Sequence, residues 1–192
     1  MSIADRILRV KSSLPGQVEL VAVSKTYPAQ RIMEAYEAGQ RIFGENRPQE
    51  MAQKYEELPK DIEWHLIGHL QTNKIKKVLG RASLIQSVDS EHLLTAIEKE
   101  AAKAGIVQDI LLEVNIGGEA AKSGFAPQEV ENAAAQAKEM DHVRVRGLMT
   151  IPPADATREE NVVYFQKVQA LYVDINRKMY DNELEYLSTV SY

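Results

Sequence analysis

The sequence predicts an α/β fold assembled from repeated parallel β/α units. Short apolar runs recur along the chain, and each is followed by a longer segment with helical spacing, the pattern such units leave in a sequence. Capping and turn residues fall where the periodicity changes. Some runs, such as Leu20-Val-Ala-Val23, are apolar throughout, as in strands covered on both faces. Others alternate, as Val143 and Val145 do against Arg144 and Arg146. Both kinds suit the wall of a barrel, although periodicity alone does not choose between a closed (β/α) barrel and an open doubly wound sheet.

An opening helix carries Ile3, Ile7 and Val10 on one stripe. Seven candidate strands follow. They are Glu19-Leu-Val-Ala-Val23, Gln40-Arg-Ile-Phe43, Ile62-Glu-Trp-His-Leu-Ile67, Ala82-Ser-Leu-Ile-Gln86, Asp109-Ile-Leu-Leu-Glu-Val-Asn115, Val143-Arg-Val-Arg-Gly-Leu148 and Glu183-Leu-Glu-Tyr-Leu187. Between them, Pro28 suits a first helical turn, Gly39, Gly80 and Gly105 suit C-terminal caps, and Thr157-Arg-Glu-Glu160 matches a capping box. No Gly, Ser or Pro linker and no low-complexity tract divides the chain, so residues 1–192 read as one domain.

Composition narrows the function classes. The 192 residues hold no cysteine, which removes disulfides, thiolate nucleophiles and Cys-ligated zinc and fits a reducing, cytoplasmic setting. A formal charge of −5 argues against general nucleic-acid binding, and the basic stretch Lys74-Ile-Lys-Lys77 reads as the solvated side of a helix. Neither a signal peptide nor an apolar run of membrane-spanning length is visible.

In either β/α architecture active groups gather at the C-terminal ends of the strands. The first run ends in Ser24-Lys25-Thr26. A lysine at the tip of a buried strand holds its amine partly desolvated, which keeps a fraction neutral and able to form a Schiff base; the bland alternative is a lysine snorkelling into solvent. The second run ends in Phe43-Gly-Glu-Asn-Arg47, where Asn46 could equally cap the next helix while Glu45 and Arg47 pair on the surface. The third gives His65 and His69 four residues apart, but on a strand and a Gly turn, not one helical face, so metal binding is not expected. After the fifth, Ala121 stands where a phosphate loop would need glycine before Lys122-Ser123, which excludes that motif. Met149, near the end of the sixth, could lie against a flat ligand or fill the core.

Taken together these strand ends are specific. Ala22-Val-Ser-Lys-Thr26, Gly44-Glu-Asn-Arg47, Trp64-His-Leu-Ile-Gly-His-Leu-Gln-Thr-Asn-Lys74, Val114-Asn115 with Lys122-Ser-Gly124, and Gly147-Leu-Met-Thr150 closely resemble, in order and spacing, the pyridoxal phosphate homeostasis proteins. The resemblance runs from about Leu20 to Leu187. It implies a TIM-type (β/α) barrel like the N-terminal domain of alanine racemase, with pyridoxal 5′-phosphate (PLP) held as a Schiff base on Lys25. It further implies Asn46, His65 and Met149 around the cofactor ring, and a role in intracellular vitamin B6 balance without established catalytic turnover.

After Leu187-Ser188 the sequence departs from the family pattern, which continues through a Ser- and Gly-rich stretch and an eighth strand. The reading is therefore a barrel lacking its final strand–helix unit. Ser188 is the one phosphate-site hydroxyl in register, PLP affinity is expected to be weakened, and open barrel edges could pair with another chain. Two alternatives stay open: a lysine Schiff-base enzyme such as an amino-acid racemase, and a fold that no longer binds cofactor.

Overall fold

The computed structural model describes residues 1–119, 122–180, 184 and 186–189, the last four by their backbone. Seven strands form one parallel sheet in the sequential order β1 to β7. They are β1 (Ala22–Val23), β2 (Ile42–Glu45), β3 (Glu63–Leu66), β4 (Ala82–Val88), β5 (Gln108–Val114), β6 (Val143–Thr150) and β7 (Tyr186–Thr189). The helices are α1 (Ile3–Ser13), α2 (Ala29–Glu37), α3 (Pro48–Glu57), α4 (Ile75–Val78), α5 (Glu91–Ala104), α6 (Val130–Lys138) and α7 (Arg158–Met179), with a 3₁₀ turn at Thr72–Lys74. A sequential order with no reversal is that of a curling barrel wall, not of a doubly wound sheet. Among the described residues β1 and β7 each pair on one side only.

The core confirms which face is inside. One continuous apolar cluster joins Ile7, Ile32, Met51, Leu94, Ile97, Val130, Val168 and Ile175 from the helices to Phe43, Trp64, Leu66, Ile85, Ile110, Leu112 and Leu148 from the sheet. A separate small cluster of Leu84, Leu111 and Met149, with Ile151 against it, contains no helical residue. The first is the helix-to-sheet layer and the second is the inner face of the wall. Burying all helices on one face is what right-handed crossovers between sequential parallel strands produce.

Local chemistry explains the element ends. Ser2 and Thr157 each accept a bond from the backbone three residues on while Asp5 and Glu160 bond back, giving two capping boxes. α5 ends at Gly105 in the left-handed region, φ 66°. Three expectations need correction. β1 is two residues long, not five, because the Gln40 side-chain amide takes the Leu20 carbonyl at 2.7 Å in place of a ladder bond. Pro28 is the N-cap residue, one position before α2. Val10 is exposed, although Ile3 and Ile7 of the same stripe pack inward. The expected strand start at Glu183 lies outside the described residues.

Candidate functional site

Parallel pairing brings every strand's C-terminal end to one mouth. Val23 pairs with Gly44, Gly44 with His65 and His65 with Leu84, a row across β1 to β4. Glu113, Met149 and Ser188 form a second row across β5 to β7. Alternation decides facing. Ala22 packs in the outer core and the Ser24 hydroxyl bonds Glu45 Oε1 at 2.6 Å on the helix side, while Lys25 and Asn46 stand just past the ends of β1 and β2, at the mouth. Lys25 and Asn46 are half-buried, while His65 and Met149 are buried. The structure therefore puts His65 and Met149 on the inner face and Lys25 and Asn46 at strand ends on its rim. Ser188 stands in register with Met149, and its side chain lies outside the described residues.

His65 is held as a neutral ring. Burial pushes its imidazole down to about 4. The Gln86 amide donates to Nδ1 at 2.8 Å, which places the ring proton on Nε2. Across the wall, burial raises the Glu113 carboxyl, and nearby Asp89 adds to that, against the Ser123 hydroxyl at 3.1 Å and His69. His69 itself pairs with Asp89 at 2.8 Å and is well exposed. The two histidines thus occupy different environments.

Behind Lys25 lies a buried polar network that the sequence reading missed. Lys54 on α3 donates to Glu45 Oε1 and Glu50 Oε1, each at 2.7 Å, and to the Ser24 carbonyl at 2.8 Å. Glu50 Oε1 also accepts the Thr26 backbone N–H at 2.7 Å. Burial pushes the Glu45 carboxyl up, against Lys54 and Ser24, which favour its charged form. Burial acts on Glu50 too, but the bonds from Lys54 and Thr26 outweigh it and hold that carboxyl below its usual range. Thr26 has φ 67°, the one non-glycine residue among those described in the left-handed region. For a β-branched residue that conformation stores roughly 1–3 kcal/mol and persists only where neighbours over-determine it. The surface alternative for the second strand end is set aside: Glu45 is fully buried, and Arg47 is the N-cap of α3 without a side-chain cap bond from Asn46.

The family model for the N-terminal domain of alanine racemase matches residues 1–188. The pyridoxal phosphate homeostasis protein of Aquifex aeolicus is 44% identical over 171 residues, covering 88% of this chain and 75% of that protein. The chain belongs to the pyridoxal phosphate homeostasis protein family. The namesake of Pseudomonas aeruginosa is 37% identical, over 84% of this chain and 71% of its own length. Among solved structures of the same kind, PipY of Synechococcus elongatus PCC7942 superposes with a TM-score of 0.90 at 35% identity without PLP, covering 98% of this chain and 87% of that one. Its PLP-bound form gives 0.86 at 34% identity with the same coverage. Alanine racemase from E. faecalis shares the fold at 13% identity with a TM-score of 0.75 over 90% of this chain and 48% of that one. In this pyridoxal phosphate homeostasis family member, Lys25 and Asn46 follow the ends of β1 and β2, and His65 and Met149 lie within β3 and β6.

Sequence signals for the missed residues were present but ordinary. Glu50 and Lys54 have the four-residue spacing of a surface helix pair, and only the fold shows that Lys54 is buried. Glu113 is the stronger hint, a lone charge inside the apolar run Ile110-Leu-Leu-Glu-Val114.

Proposed function

We propose that this protein is a non-catalytic carrier of pyridoxal 5′-phosphate, acting in intracellular PLP balance within one barrel domain. Lys25 bonds the cofactor's aldehyde as a Schiff base, formed with loss of water. The observation that carries the reading is Lys25 at the end of β1, on the rim of a wall whose inner face holds neutral His65 and buried Met149, in a chain 34% identical to a PLP-bound relative.

The residues present fit such a group. PLP supplies an electrophilic aldehyde and an electron-withdrawing ring. Lys25 provides the amine, His65 a neutral Nε2–H donor, Met149 a polarisable apolar surface and Asn46 an amide at the rim. A neutral His65 near pH 4 in its titration is badly matched to proton abstraction at pH 7, where an effective base titrates close to the working pH. That favours binding over racemase chemistry.

Mixing the protein with PLP is expected to give a visible absorbance band that borohydride abolishes, leaving a reduced adduct at Lys25 by peptide mass analysis. Lys25→Ala removes band and adduct together. Absence of the band in wild type at high PLP would overturn the carrier reading, and turnover of amino-acid enantiomers would replace it with the enzyme reading.

A further inference from the structure

We infer that Lys54 and Glu50, one turn apart on α3, form a backbone clamp that fixes the Lys25 segment for covalent capture of an aldehyde at the mouth. The inference rests on the carrier reading for its function, but its geometry stands apart from it.

The clamp holds Lys25 from both sides. The peptide unit before Lys25 is gripped through the Ser24 carbonyl, which accepts from Lys54 Nζ at 2.8 Å. The peptide unit after it is gripped through the Thr26 N–H, which donates to Glu50 Oε1 at 2.7 Å. The two gripping groups are themselves paired at 2.7 Å, and Glu45, buried on β2, fixes the Lys54 ammonium at the same distance. Ser24 N–H bonds the Gly44 carbonyl at 2.9 Å, so the segment is also tied to the sheet. Charge-assisted bonds to both flanking peptides leave the Lys25 backbone little freedom. Thr26, whose N–H Glu50 holds, is itself in the left-handed region, a conformation that persists only where neighbours over-determine it. Such fixing matters for a nucleophile, because small misplacements of a reacting group cost rate more than affinity. Lys54 and Glu50 are thus positioning residues.

Glu50→Ala is the primary test, because Glu50 is partly exposed and its loss spares Glu45. Amide exchange by NMR on the free protein is expected to show Thr26 exchanging at least roughly tenfold faster in Glu50→Ala, with the β2 amides unchanged. Covalent capture of PLP should slow by a similar factor, while binding of pyridoxine 5′-phosphate, which has no aldehyde, stays within about twofold. Glu50→Gln keeps an acceptor for the Thr26 N–H and should recover much of both effects. Lys54→Met should act in the same direction, read only if its folding is confirmed by circular dichroism. Unchanged Thr26 exchange, or capture by folded Glu50→Ala within about twofold of wild type, would overturn the clamp. A wild-type chain that captures no PLP would sink the carrier reading instead, and the exchange result would then decide the clamp by itself.

Discussion

His65 should make the protein acid-sensitive in a defined window. Its folded value is about 4, against 6.5 for the ordinary imidazole. A histidine depressed on folding contributes stability that is fully present above the unfolded value and is lost as pH falls from about 6.5 towards about 4. Below 6.5 the unfolded chain takes up the proton and the folded chain does not. The whole difference corresponds to roughly 3 kcal/mol, of which about 2 kcal/mol should be lost between pH 7 and pH 5. Exposure of only 7% means that solvent screening does little to reduce the figure. Raised carboxyls at Glu45 and Glu113 act with the opposite sign, since the folded state binds their protons more readily as pH falls. The comparison must therefore isolate His65. Urea unfolding of wild type and His65→Gln at both pH values does so: wild type should lose about 2 kcal/mol more than the variant on moving from pH 7 to pH 5. Equal losses in the two proteins would refute the argument that a buried neutral imidazole sits on the inner face.

Two further outcomes follow from packing. Gly68→Ala would place a Cβ 2.5 Å from the Asn46 carbonyl oxygen and 2.6 Å from its Cα, both backbone atoms. Relief needs the loops after β3 and β2 to part by about 1 Å, so stability should fall by about 1–3 kcal/mol in urea unfolding, whereas Gly16→Ala, with open space around it, should stay within about 0.5 kcal/mol. Leu111→Ala opens the inner-face cluster and should cost about 2–5 kcal/mol, and the water it admits should move the His65 titration, followed by NMR, upward towards 6.5.

The alternation of apolar runs and helical segments made the β/α order legible, because each strand's local periodicity agrees with its tertiary role. Lys25, Asn46, His65 and Met149 were legible as strand-end or strand residues, and the sheet order then put His65 and Met149 on the inner face with the ends of β1 and β2 at its rim. What stayed hidden depends on contacts remote in sequence. Gln40 shortens β1 from 20 residues away, and Lys54 reaches Ser24 across 30. No local pattern marks a lysine whose partners come from other elements. Asn46 was ambiguous for a related reason: capping and lining positions after a strand carry the same residue types, and only the Arg47 N-cap geometry separates them.

The two faces of the wall carry different chemistry. On the outer face, charges that ordinarily favour solvent are buried against α3, where Lys54 pairs with Glu45 and Glu50, and Lys54 and Glu50 hold the backbone on either side of Lys25. On the inner face, Leu84, Leu111 and Met149 keep the polarity low, which is the physical cause of the depressed His65. Exchanging these roles would defeat both: a charged cluster inside would hydrate the mouth and restore His65 as a base, and an apolar outer layer would leave the peptides around Lys25 without partners. An imidazole pushed down to about 4, well below its ordinary value, is ill suited to act as a base at neutral pH.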